Sequence, residues 1–397
     1  KIIYRNANKD AGSSIPNFQK FFVFNRFYNV RWSLTKSLSL DYSSIINAII
    51  DEPNGDLTNK DSLSIVIKNL KNFGRAKNFN QNITANYTLP FDKFPLTNWL
   101  GTEYRYNVGY NWRAGPLEKD ESLKLGNIIQ NTQEQALSGR IDMVKLYNKI
   151  GFLKGINTPK RPTPPPTAQN KPTQPDTVRR PPDLKLVKGV LRLIMSLRNI
   201  TGTYTINQGT ILPGFKPDPY MFGLDKGWGA PGFGFVLGQQ KTDFQVKAGE
   251  NGWLSTSKKL TTPYTQNQMK DLGLRASLEP SNDLKIQLDI KKNSVTSFQE
   301  IYRIDSTDSF YESLSPSRVG SYKISTLTIN TAFKNNESLN STVFKQFEEN
   351  ISLLQDRFTR VTGNSYETKS QDILIPAFVA AYTGKSAETV NLSPFPQ

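Results

Sequence analysis

The sequence contains no histidine and no cysteine. Those two absences exclude Ser-His-Asp and Cys-His catalysis, zinc held by His and Cys, disulfide staples and thiol redox chemistry. An enzyme built from this chain would have to work with carboxylates, lysine or tyrosine. Acidic residues are also in deficit, 34 against 50 Lys+Arg, which gives a formal charge of +16. Only 37% of residues are hydrophobic, and no apolar run reaches the length a membrane helix needs. Aromatic residues are plentiful at 11%, with 16 Tyr and 23 Phe, too many for a disordered chain. The 397 residues allow roughly two or three ordinary domains, or one large β architecture.

The dominant hydrophobic period is two, the signature of strands. From 100 to 112 the even positions are Leu100, Thr102, Tyr104, Tyr106, Val108, Tyr110 and Trp112, while the odd ones are Gly or polar. The segment before it alternates in odd phase through Phe79, Ile83, Ala85, Tyr87 and Leu89, with a proline-bearing turn at Pro90 to Asn98. Tyr28, Val30, Trp32 and Leu34 turn through Thr35-Lys36-Ser37 into Leu38, Leu40 and Tyr42. The clearest hairpin runs from Leu272, Leu274, Ala276 and Leu278 through Glu279 to Asp283 into Leu284, Ile286, Leu288 and Ile290. Nine crossings are expected, near 27–34, 38–46, 77–89, 98–112, 134–147, 186–206, 266–279, 284–299 and 320–333. The sixth is ambiguous, because Leu184, Val187, Leu191, Ile194 and Met195 also fit a helix.

Helical period is confined to a few places: Leu63, Val66, Ile67 and Leu70 after a cap at Asp61 or Ser62, a longer stripe of Val343, Phe344, Phe347, Ile351, Leu354 and Phe358 begun by Ser341, and Ile373 to Tyr382. The run Pro159 to Pro182 cannot pair in a sheet and reads as an extended spacer. The expected organisation is a barrel segment of about five strands with loops at 1–158, the Pro-rich linker at 159–183, a barrel segment of about four strands at 184–333 with a long loop 207–263, and a helical insert at 334–397, periplasmic or lumenal. The sequence opens on Lys1 without a basic and apolar leader and stops at Pro394-Phe395-Pro396-Gln397, so a processed piece of a longer chain is expected.

Motifs with chemical associations are weak. Gly227-Trp228-Gly229-Ala230-Pro231-Gly232 spells a dinucleotide fingerprint, but it follows no strand pattern, contains Pro231 and opens no helical one. Gly384-Lys385-Ser386 lacks the leading glycine of a phosphate loop, because Val379 stands there. The acidic pairs Asp51-Glu52, Asp120-Glu121 and Glu348-Glu349 read as solvated surface, and Asp51 to Asp56 lacks calcium-loop spacing. Lysine and arginine are dispersed rather than gathered with aromatics, which argues against nucleic acid and suits anionic lipid, lipopolysaccharide or a water-filled lumen. No catalytic residue, cofactor or metal site is expected.

The placement of Tyr and Trp is more informative. A soluble sandwich buries mostly aliphatic side chains, whereas Tyr104, Tyr106, Tyr110 and Trp112 on one face suit contact with lipid and its headgroups. Trp32 and Tyr87 join them as a candidate lipid-facing girdle, and Glu103, Arg105, Asn107 and Asn111 are the candidate lumen-facing set. Short turns near Thr35, Pro90 and Pro280 alternate with long connections at 47–76, 113–127, 207–263 and 305–320, as in an outer-membrane barrel whose short turns face the periplasm.

Several segments then resemble a known family in the same order along the chain. They are Phe24-Asn25-Arg26-Phe27-Tyr28-Asn29-Val30-Arg31-Trp32 with Leu34-Thr35-Lys36-Ser37-Leu38, Leu70-Lys71-Asn72-Phe73-Gly74-Arg75, and Leu125-Gly126-Asn127-Ile128-Ile129-Gln130-Asn131. Leu146-Tyr147-Asn148-Lys149-Ile150, Gly209-Thr210-Ile211-Leu212-Pro213-Gly214-Phe215, Ala230-Pro231-Gly232-Phe233-Gly234-Phe235, Ile375-Pro376-Ala377-Phe378 and Ala381-Tyr382-Thr383-Gly384 follow. Together they resemble the SprA/Sov family of giant outer-membrane proteins. The resemblance implies the translocon of the type IX secretion system of Bacteroidetes, a very large single-chain barrel that passes folded cargo proteins, opens laterally, and works with PorV-like and plug-like partners. The family has no catalytic residue to carry over.

The expectation is therefore an all-β chain, a segment of a very large antiparallel transmembrane barrel with long loops and a few short helices, integral to the bacterial outer membrane. A TonB-type outer-membrane receptor and a soluble all-β binding or adhesin protein are the alternatives.

Overall fold

The computed structural model describes residues 2–3, 18–19, 22–53, 59–117, 120, 124–157, 190–191, 193–281, 283–304, 310–325, 331, 341–363 and 365–390. Among them nine strands form one antiparallel meander: β1 (Val23–Ser33), β2 (Leu38–Ile49), β3 (Arg75–Leu89), β4 (Leu100–Arg113), β5 (Asn127–Asp142), β6 (Leu197–Phe215), β7 (Tyr264–Ser281), β8 (Leu284–Ile304) and β9 (Tyr311–Ile324). Each strand pairs with its sequence neighbours only, so the sheet is open and β1 and β9 are its edges among the described residues. A separate two-residue ladder joins Ile2–Ile3 to Phe18–Gln19. Helices α1 (Lys60–Lys71), α2 (Met143–Lys149), α3 (Gly151–Asn157), α4 (Phe233–Val236) and α5 (Phe244–Glu250) lie in the connections, and α6 (Thr342–Thr362) and α7 (Gln371–Thr383) follow the sheet. No described helix is long and apolar enough to cross a membrane, which says nothing about crossing by strands.

Period-two alternation becomes two faces because facing residues in a ladder share a side. One row runs Leu38, Tyr87, Tyr104, Leu137, Tyr204, Leu272 across β2 to β7, each residue directly opposite the next. The intervening positions form the other face, and there the strands are stitched by polar pairs. Arg31 binds Asp41 at 2.5 Å, Arg275 binds Asp289 at 2.6 Å, Asn47 donates to Asn25 at 2.7 Å, and Ser297 donates to Asn267 at 2.6 Å. Both ion pairs are exposed to water, so they set register more than they add stability.

Nine strands stand where nine were expected, and three are displaced. The fifth begins at Asn127 rather than 134 and ends at Asp142, whose carboxylate accepts from the Lys145 amide at 3.0 Å and starts α2. The sixth runs from Leu197 to Phe215, and the residues before it, Val190, Leu191, Leu193 and Ile194, are helical, which resolves the ambiguity there. The ninth starts at Tyr311, so the connection expected at 305–320 is short and the long one expected at 207–263 is 216–263. No strand lies in 216–263, and the turns after Ser33, Leu89 and Ser281 all fall at one end of the sheet.

The helices adjust the expectation too. The cap of α1 is Asn59, whose side chain accepts from the Asp61 amide, and of its stripe only Val66 is buried. Ser341 does cap α6, accepting from the Phe344 amide at 3.2 Å. Its stripe packs through Leu354 and Phe358 onto Ile373, Ala377 and Ala380 of α7. The Pro159 to Pro182 linker lies outside the described residues.

Candidate functional site

The candidate site is the sheet itself, read as two surfaces with different chemistry. On the polar face Glu103, Arg105, Asn107 and Asn111 stand at alternate positions of β4. Asn107 accepts from the Thr84 hydroxyl at 2.8 Å, and Asn111 donates to Asn80. Side-chain amides and hydroxyls bridge neighbouring strands over most of this face, and the exposed Phe27, Ile45 and Val319 interrupt it on β1, β2 and β9.

The apolar face divides into two zones along the strands. Toward the short-turn end it is bare: Val30, Trp32, Tyr87, Leu137, Tyr204, Leu274, Leu288 and Ile290 are all exposed, and Tyr104 is half-buried beside them. Toward the other end residues 216–263 fold back over it. Leu224, Phe235, Phe244 and Leu254 of that cover form one core with Phe79, Tyr110, Trp112, Ile129, Leu212 and Tyr264 of the strands. The Phe235 and Phe244 rings stack at 4.2 Å, and Phe235 meets Tyr110 edge-on.

The candidate girdle is therefore split. Trp32, Tyr87 and Tyr104 lie in the bare zone, whereas Tyr110 and Trp112 lie beneath the cover and have no free face to offer lipid. Trp112 donates its indole N–H to the Pro217 carbonyl at 3.0 Å. Tyr106 sits at the boundary, its hydroxyl donating to the Leu237 carbonyl at 2.8 Å.

Polar residues fasten the cover, and sequence reading missed them. Asn131 of β5 is fully buried. Its amide N–H groups reach the carbonyls of Phe235 at 2.9 Å and Gln239 at 3.2 Å, while its oxygen accepts from the Thr210 amide at 3.2 Å and from Gln240 at 3.0 Å. The buried Glu300 carboxylate accepts from Gln245 at 2.7 Å and from the Ser313 hydroxyl. Close approach needs glycine: Gly223 has φ +79, and a Cβ there would come within 2.4 Å of the Tyr110 ring. The available signal was the aromatic run Phe233, Phe235, Phe244 and Trp253 in a segment without period-two order.

The fingerprint-like glycines form a turn inside this cover. Asp225 accepts from the amides of Gly229 at 2.8 Å and Ala230 at 3.0 Å. Those bonds, the one to Ala230 foremost, hold the Asp225 carboxyl below its ordinary value. A depressed carboxyl stabilises the folded turn above the unfolded value near pH ~4, and the contribution is lost as pH falls through the depressed value. The protection of the Gly229 and Ala230 amides, relative to the intrinsic exchange rate at each pH, is thus expected to hold down to about pH 4 and to be lost below it. Protection already lost near neutral pH would contradict this.

Among the described residues no cluster of three or more carboxylates could hold a metal. No protein-family model matches the chain, and no curated protein matches it in sequence.

Proposed function

We propose that this chain is a wall segment of an outer-membrane protein-conducting barrel, the translocon of a type IX secretion system. The polar face would line a wide aqueous lumen through which folded cargo passes, and the bare apolar zone would meet lipid. One observation carries the reading: nine strands of 11 to 21 residues form a sheet with one mostly polar face and, on the other, an apolar zone near the short turns that residues 216–263 leave uncovered. Strands in globular proteins are commonly about 5–6 residues, whereas a tilted membrane strand needs about 9–11.

The dimensions support the assignment. From Lys292, which faces Leu272, to Leu284 at the turn, β8 advances eight residues through the bare zone. At about 3.3 Å per residue and a tilt near 40°, that spans about 20 Å, close to the ~25 Å apolar band of membrane barrels. Among the described residues the sheet has two unpaired edges, which invite further strands, as a larger barrel requires. The ordered motifs resembling the SprA/Sov family point to the same translocon, with PorV-like and plug-like proteins as partners and the long connections on the outer side. A soluble adhesin would have to cover the bare zone, and the cover formed by 216–263 stops short of it.

The chain lacks cysteine, so single-cysteine variants are unambiguous. In the bilayer-folded protein a cysteine at Tyr204 is expected to react with a membrane-restricted reagent and one at Thr203 only with a water-soluble one. The reverse pattern would invert the wall, and no lipid-phase labelling at either would end the membrane reading. Removing the coding region for residues 23–324 in the producing bacterium should trap cargo in the periplasm, and continued export would refute the translocon.

A further inference from the structure

The lower edge of the cover, where it meets the bare zone, has chemistry of its own. Phe222 touches Tyr42 edge-on at 5.8 Å, and the Leu237 carbonyl takes the Tyr106 hydroxyl at 2.8 Å. Tyr42 and Val108 share a row across β2 to β4, Tyr106 lies one row nearer the short turns, and the next row, that of Tyr87, Tyr104 and Leu137, is uncovered. Apolar side chains in this part of the cover, at the edge and in the segment between its two edge contacts, are half-exposed rather than in the core: Phe222 is 48% exposed, Trp228 45%, Phe233 53% and Leu237 47%. Trp228 and Phe233 stack on each other at 6.2 Å, so two of these four side chains form one exposed aromatic pair.

The backbone is strained to make this surface. Phe222 and Trp228 have φ of 53° and 59°, in the left-handed region that bulky side chains rarely adopt. Glycine would occupy either position without strain, and neither ring contributes to the buried core. Strain maintained to display an exposed aromatic ring points to a function for the ring. Charge agrees with an anionic neighbour: residues 216–263 carry six lysines against four carboxylates, and Lys226 lies between the two strained aromatics in the chain.

We propose that this edge is an interfacial foot, in which Phe222, Trp228, Phe233 and Leu237 seat in the headgroup zone of the bilayer beside the wall and Lys226 lies at the level of anionic phosphates. The inference rests on the membrane-wall reading. Indole and phenyl rings favour that zone because one side meets acyl chains and the other stays wet, and lysine reaches the phosphates on a flexible apolar stem. Seated this way, the foot fixes how deep the wall sits and ties the cover to the membrane surface.

The test uses Trp228→Cys and Leu288→Cys, each carrying an environment-sensitive dye, in the full chain folded into phosphatidylcholine and phosphatidylglycerol vesicles. The dye at 228 is expected to lose about half its emission to lipids bearing a nitroxide near the top of the acyl chain, and little to a nitroxide at the methyl end. The dye at 288 should respond to both. If 288 is quenched and 228 responds only to an aqueous quencher, the foot is refuted and the wall survives. If 228 is shielded from lipid and aqueous quenchers alike, a protein covers it and the proposal fails. If neither dye senses lipid, the membrane reading fails and takes the foot with it.

Discussion

Replacing Trp112 by alanine is expected to destabilise the cover formed by residues 216–263 by about 3–5 kcal/mol, the range for deleting a fully buried large aromatic. Trp112 is 1% exposed, and it is the side chain through which β4 holds the entry to the cover, by its bond to the Pro217 carbonyl. Truncation would leave a cavity in the core shared with Phe79, Ile129 and Leu224 and leave that carbonyl with only the longer bond from Asn127, at 3.4 Å. The loss should be local, because the ladder bonds of β4 to β3 and β5 do not depend on the indole. Trypsin cutting after Lys226, Lys241 and Lys247 should therefore accelerate by two or more orders of magnitude while strand amides remain protected. The control is Trp228→Ala, which removes a half-exposed ring from the outer surface and should leave the cleavage rate within a few fold. Equal rates in the Trp112 variant and the parent protein would show that the cover does not depend on this contact.

The contrast between those two tryptophans also shows what a sequence can reveal about this fold. Hairpins whose alternation was uninterrupted, such as β1 with β2 and β7 with β8, were legible because one face is apolar through every turn. The start of β5 was not, because its buried positions include Asn131, which earns its place by four hydrogen bonds to residues 79 to 109 positions away along the chain. Burial by hydrogen bonding carries no hydrophobic period. The end of β6 was hidden in the same way by Thr210 and by Pro213-Gly214. The girdle split for a related reason. Alternation places Tyr104 and Trp112 on one face but is silent about what lies over each, and only the folding-back of a distant segment separates a bare Tyr87 from a covered Tyr110. For the polar face nothing distant intervened, so Glu103, Arg105, Asn107 and Asn111 fall together as the alternation implies.

Leu288 and Gln287 of β8 offer the sharpest decision between a membrane wall and a soluble sheet. They are neighbours on opposite faces, Leu288 in the middle of the bare zone and 51% exposed, Gln287 among the polar pairs and hydrogen-bonded to Asp289 at 2.9 Å. In a lipid-embedded wall Leu288→Arg puts a cation among acyl chains, which costs about 2–4 kcal/mol at the midplane of a barrel. Gln287→Arg adds a cation to a wet surface beside Asp289 and should shift stability by no more than about 0.5 kcal/mol. In a soluble protein the half-exposed Leu288 would accept arginine as readily as Gln287 does, since an extended side chain there reaches water at once. Reversible folding into vesicles in a denaturant series measures both variants on one scale. A large penalty at 288 with none at 287 is the expected result. Matched small effects at the two positions would mean that water, not lipid, lies against the apolar face, and the exposed apolar side chains from Val30 to Ile290 would then require a protein partner of the same width.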